Sequence, residues 1–97
     1  MKDHILEAEL EAFFRGECKA LGLVTMKLNL QQNRGYPDRV VLHKGAAHFA
    51  ELKTLTGKQT PLQKYRASQL NRAGFDVVVL RTKAEIREYL RGIANAT

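Results

Sequence analysis

Ninety-seven residues suffice for one domain with a single core and are too few for two. Sixteen Lys and Arg against ten Asp and Glu leave a charge of +6, and 44% hydrophobic residues without a biased run exclude a disordered chain. The longest apolar stretch is Val77 to Leu80, so no membrane span is expected, and the N-terminus reads as the approach to an acidic helix rather than a signal segment. The single cysteine, Cys18, excludes an internal disulfide and a Cys-based zinc site, and a reducing, cytoplasmic setting is the expectation.

Charge is unevenly distributed. Residues 1–17 carry two bases against five acids, whereas residues 18–97 carry fourteen against five. A basic body suits a polyanion, because neutralising phosphates releases condensed counterions.

Leu6, Leu10, Phe13, Phe14, Cys18 and Leu21 recur at helical spacing, which predicts an amphipathic helix over residues 3–21 with Gly22 as its cap. Val24, Met26, Leu28 and Leu30 alternate with polar residues, as in a half-buried strand. A polar loop from Gln31 to Tyr36 leads to a second strand, Arg39 to His43. Lys44-Gly45 turns into a third, Ala46 to Lys53, followed by a polar loop to Thr60. Thr60-Pro61-Leu62-Gln63 is a helix start, with a capping Thr, Pro at the first position and Gln three after the cap. That helix is expected to reach Ala73, closed by Gly74. Phe75 to Leu80 reads as a continuous apolar strand buried on both faces, and Thr82-Lys83-Ala84-Glu85 opens a last helix through Ile93. The fold class is α/β: a central mixed sheet flanked by helices, in the order α-β-β-β-α-β-α.

The chemistry gathers at Pro37-Asp38 and, after twelve intervening residues, Glu51-Leu52-Lys53. Strand alternation puts Glu51 and Lys53 on one face and Leu52 on the other, towards the core. Asp38 opens the neighbouring strand, so its carboxylate reaches the same edge. Carboxylates that close repel unless a cation lies between them, and oxygen-only ligands favour Mg²⁺, with Mn²⁺ as a substitute. Such an ion polarises a phosphoryl oxygen while Lys53 stabilises charge or orients water. That set is suited to phosphodiester hydrolysis.

Pro37-Asp38 with Glu51-Leu52-Lys53 resembles the PD-(D/E)xK nuclease signature. The resemblance extends to the virus-type replication-repair nuclease (VRR-NUC) group within it. It rests on Gly35-Tyr36-Pro37-Asp38-Arg39, Phe49-Ala50-Glu51-Leu52-Lys53, Thr60-Pro61-Leu62-Gln63 leading to Leu70 and Gly74, and the closing Val77-Val78-Val79. It spans roughly residues 7 to 81. The resemblance implies a restriction-endonuclease-like core in one domain over residues 1–97 and Mg²⁺-dependent DNA cleavage. It also implies kinship with Holliday-junction-resolving homodimers of phage and bacterial type, working in the cytoplasm of a bacterium or phage-infected host. It implies as well a glutamate ligand from the first helix, the Leu52 carbonyl as a further metal ligand, and a role for Gln63 as the fourth motif.

Four glutamates on the first helix compete for that place. At ~100° per residue, Glu7 lies about 60° from the centre of the apolar stripe and Glu11 about 100°, while Glu9 falls on the opposite flank. Glu7 is therefore the choice, with Glu11 second. Glu17 lies within the stripe, where a subunit contact is one use for it. Gln63 has an equal claim as the partner of Thr60 in a capping box. Arg34, Arg39, Lys58 and Lys64, with Arg66 and Arg72, flank the site as candidate phosphate contacts. Tyr36 could stack on a base, although packing on the core is the commoner fate of a loop tyrosine. The three histidines, His4, His43 and His48, show no ligand spacing. Phe13, Phe14, Ile86, Tyr89, Leu90 and Ile93 are candidates for a dimer contact or for covering the sheet. Alternatives to a junction-cutting enzyme are a flap- or linear-DNA nuclease, a restriction-like cutter or RNA nuclease of the same fold, and a non-catalytic DNA-binding module.

Overall fold

The computed structural model describes residues 5–28 and 34–96. His4, Asn29 and Leu30 lie outside the described residues. The elements follow the expected order: α1 (Glu7–Leu21), β1 (Val24–Lys27), β2 (Arg39–His43), β3 (Ala46–Leu52), α2 (Pro61–Arg72), β4 (Val77–Leu80) and α3 (Lys83–Ala94). The strands form one sheet in the order β1-β2-β3-β4, antiparallel except for the parallel β3–β4 pair. A parallel pair needs a crossover, and α2 is that connection.

Alternation along the strands gives the sheet two unlike faces. One carries Val41, Ala50, Leu52 and Leu80, which pack with Leu10, Phe14 and Cys18 of α1 and Ile86, Leu90 and Ile93 of α3 into the buried core. Of the helix residues named above as candidates for a dimer contact, Phe14, Ile86, Leu90 and Ile93 are buried within the chain, whereas Phe13 and Tyr89 are half-buried. Glu17 likewise pairs inside the chain, with Arg87 at 3.7 Å, tying α1 to α3. Phe13 lies beneath the cations of Lys83 and Arg87 at 5.6 and 5.2 Å.

The opposite face carries Val40, Leu42, Phe49 and Glu51 and is less completely covered. No residue of α2 is fully buried. Val24, Met26 and Leu42 remain 58%, 49% and 38% exposed, with Val24 directly across from Leu42. Part of the exposed apolar surface thus lies on the β1–β2 side of the sheet; Leu6, Leu55, Leu62, Tyr65 and Phe75 are exposed elsewhere.

β4 departs from expectation. Asp76 interrupts the apolar run; it is exposed and accepts a 3.3 Å hydrogen bond from Asn71. The strand begins at Val77 and lies at the sheet edge, where Val77, Val78 and Val79 are only half-buried. A short hydrophobic run reports apolar surroundings and does not distinguish a central strand from an edge strand covered by helices.

Candidate functional site

The site is assembled at the end of the sheet where β2 starts and β3 stops. Arg39 pairs with Ala50 in the antiparallel β2–β3 ladder, so one step further Asp38 stands opposite Glu51. Directly opposed residues project to the same face. The Asp38 carbonyl accepts from the Leu28 amide at 2.8 Å, extending the β1–β2 pairing to this point. Asp38 is buried, and its Oδ2 accepts a 2.6 Å hydrogen bond from the backbone N–H of Leu52. The residue between Glu51 and Lys53 therefore anchors the third acid through its main chain and the core through its side chain, which is 1% exposed.

Glu51 is itself 1% exposed. Both carboxylate oxygens are buried without a partner of hydrogen-bond geometry among the described residues. Burial raises its pKa above the usual carboxylate range. The Gln59 side chain and the Lys53 ammonium temper that rise, and the charges of Asp38 and Glu7 add to it. Gln59 is thus near enough to act on the carboxylate, although the contact falls short of hydrogen-bond geometry.

Glu7, in the first turn of α1, faces the same cluster. Desolvation raises its pKa, as do the charges of Asp38 and Glu11, while Lys53 lowers it. Glu7, Asp38, Glu51 and Lys53 consequently share one electrostatic neighbourhood. The other helix-1 acids are engaged elsewhere. Glu9 turns back to accept from the Leu6 amide at 2.9 Å, capping its own helix. Glu11 lies 3.3 Å from the Arg39 guanidinium.

That ion pair corrects one expectation. Arg39 is 5% exposed and held against Glu11, so it is not among the surface cations that could meet a phosphate. Its side chain follows strand alternation to the face opposite Asp38, where α1 packs. Arg34, Lys58 and Lys64 are exposed. Gln63 takes the capping role: its Oε1 accepts from the Thr60 amide at 2.8 Å, while its own amide donates to Thr60 Oγ1 at 3.1 Å. The cap fixes the start of α2 beside the site.

The loop preceding Asp38 is held by close packing. Gly35 has φ 83°, and a Cβ there would press into the Leu62 side chain of α2. Only glycine meets both demands without strain. Next to it, the Tyr36 ring lies 4.6 Å from the Arg66 guanidinium.

Sequence reasoning missed Arg81. It donates from Nη1 to the carbonyls of Thr54 at 2.7 Å and Gly57 at 2.6 Å, with Leu55 further off at 3.4 Å. The loop leaving Lys53 and returning towards Gln59 is thereby clamped from the end of β4. A basic residue after an apolar strand carries no signal of this, because the acceptors are main-chain carbonyls more than twenty residues away. The last helix also differs in detail: Thr82 caps the Glu85 amide, but the Glu85 carboxylate accepts from Arg81 rather than from Thr82.

A four-stranded mixed sheet flanked by three helices is a restriction-endonuclease-like α/β architecture. A solved structure of a VRR_NUC domain matches 88% of this chain and 94% of its own length, with a TM-score of 0.76 at 24% identity. The chain therefore has the VRR-NUC fold. Neither family models nor curated proteins match the sequence.

Proposed function

We propose that this chain is a metal-dependent nuclease that hydrolyses phosphodiester bonds in DNA, cutting branched forms such as Holliday junctions as a homodimer. The observation that carries the reading is Glu51, a buried carboxylate whose two oxygens lack hydrogen-bond partners among the described residues and which faces two further acids and a lysine. Burying a carboxylate without a well-formed hydrogen bond is destabilising, and Gln59 and Lys53 offset that only in part, since the Glu51 pKa stays raised. A bound cation offsets the remainder. The donor set fits a hard ion, Mg²⁺ with Mn²⁺ substituting, since every side-chain ligand available is oxygen. Among the described residues no group of three acids, histidines or cysteines is placed to hold a metal ion. The proposed metal site therefore rests on the pair Asp38 and Glu51, since Mg²⁺ keeps several waters and takes as few as one or two carboxylates.

Asp38 and Glu51 would hold the ion, with Glu7 and the Leu52 carbonyl as further ligands. When bound, the ion supplies Lewis-acid polarisation of a phosphoryl oxygen and a more acidic water. The Leu52 amide keeps the Asp38 carboxylate in one orientation. Lys53 offsets the cluster's negative charge and offers donors to a phosphate oxygen or the attacking water. Arg34, Lys58 and Lys64 would contact flanking phosphates, which position the substrate without reading sequence. Gln63 acts through the cap, holding the start of α2.

The deciding experiment is a panel of flapped, forked, four-way and linear DNA, each with Mg²⁺ or EDTA. Cleavage of branched DNA only with Mg²⁺ supports the reading. Binding without cleavage under every condition sinks it and leaves a DNA-binding module.

A further inference from the structure

Phe49 and Glu51 stand two residues apart on one face of β3, ~7 Å along the strand. Between that face and α2 lies a cavity of about 300 Å³ lined by Leu28, Tyr36, Phe49 and Leu70. All four are half-buried, and none belongs to the packed core on the other side of the sheet. The aromatic wall is fixed from two sides. Gly35 locks the backbone before Tyr36 against α2, and the Arg66 guanidinium lies over the ring. Arg66 donates from Nη1 to Gln69 at 3.0 Å, whereas its Nε is buried with no hydrogen-bond partner among the described residues. The cavity thus combines a held aromatic ring with apolar walls.

We propose that this cavity receives one unstacked base of the DNA whose phosphate lies at Glu51; the inference rests on the nuclease reading above. Small-molecule pockets run from roughly 300 to 1,000 Å³, so this one has room for a single ring system. A base presents its apolar faces to Tyr36, Phe49 and Leu70. Its separation from the carboxylates is of the order of one step along an unstacked strand, which places the base next to the bond that is cut. Linear duplex cannot supply such a base without breaking a pair, and a flap or branch point can. Preference for DNA with an unpaired nucleotide follows from the cavity itself.

The test uses the full chain and a flapped duplex carrying 2-aminopurine as the unpaired nucleotide at the branch, a base whose fluorescence falls on stacking. Titration in EDTA reads binding without cleavage. Binding is expected to quench the fluorescence in the wild type and in Tyr36→Phe. It is expected to leave the fluorescence unchanged in Tyr36→Leu and in Leu70→Trp, which fills the cavity while leaving Tyr36 in place. The wild type alone provides a second measurement, since an abasic nucleotide at that position should weaken binding by roughly tenfold. Saturated binding without quenching, equal quenching in the folded cavity variants, equal affinity for the abasic flap, or failure to bind flapped DNA each overturns the assignment. Cleavage assays with Mg²⁺ on the same substrates separate the two readings. Cutting without quenching removes the cavity alone, and quenching without cutting removes the nuclease alone.

Discussion

Asp38→Asn keeps the acceptor for the Leu52 amide and removes one negative charge from a phosphate-facing site. Cleavage should fall by about a hundredfold or more, a loss in line with an electrostatic group in the site, while junction binding in EDTA is unchanged or tighter. Turnover at the wild-type rate would remove Asp38 from the metal site. On α1, the structure separates three acids that look alike in sequence. Glu7→Gln should reduce cleavage most, Glu9→Gln least because it caps its own helix, and Glu11→Gln in between because it releases Arg39. Inactivity confined to Glu11→Gln would show the helix to be read in the wrong phase. Glu51 and Glu7 also set a pH dependence. Both have folded-state pKa values raised from 4.5, so just above that pH the folded chain holds more protons than the unfolded one. Stability of the metal-free protein should therefore fall as pH rises from 4.5 through the raised values. Glu51→Gln should melt several degrees higher at pH 7 and show no gain at pH 4, roughly 4–8 °C for each kcal/mol in a domain of this size. Mg²⁺ should raise the melting temperature of the wild type and not of Glu51→Gln; an equal rise in both would argue against a metal at this carboxylate.

Two loops deliver these side chains, and each depends on an element remote in sequence. The loop before β2 is pinned to α2 at Gly35, where Gly35→Ala meets both a left-handed backbone and the Leu62 side chain. A loss of about 1–3 kcal/mol is expected, read by denaturant unfolding. The loop after β3 is clamped by Arg81, whose hydrogen bonds to Thr54 and Gly57 join the segment between Lys53 and Gln59 to the end of β4. Arg81→Ala should cost about 1.5–3 kcal/mol, the range for hydrogen bonds from a charged donor. It should also lower kcat more than substrate affinity, because the clamp sets the geometry around Glu51 rather than binding DNA. An unchanged kcat in a folded Arg81→Ala would confine the residue to stability. Gly35 was visible in sequence as part of a motif, and Arg81 was not. The difference is that a motif repeats side-chain chemistry, whereas a clamp on carbonyls is defined only by where two chain segments meet.

At the scale of the whole molecule, cutting opposed strands of a junction calls for two sites related by a twofold axis. Most of the apolar surface of α1 and α3 packs on one another and on the sheet, leaving Phe13 and Tyr89 half-buried. Val24, Met26 and Leu42 on the β1–β2 side are exposed apolar surface that a second copy would cover. Light scattering at micromolar concentration should give twice the 11.0 kDa chain mass. A monomer that still cuts would replace paired incision by single nicking. By itself the sequence determined the order of elements, the helix caps, the face shared by Glu51 and Lys53, and the Asp38 position opposite them. Each of these follows from local periodicity, turn chemistry and strand alternation, which act over a few residues. Only the tertiary structure decided that β4 lies at an edge, that Arg39 is buried against Glu11, and that Arg81 clamps a loop. It also decided which sheet face stays open above Phe49. These outcomes depend on what a side chain meets from distant parts of the chain, and spacing along the sequence carries no record of that.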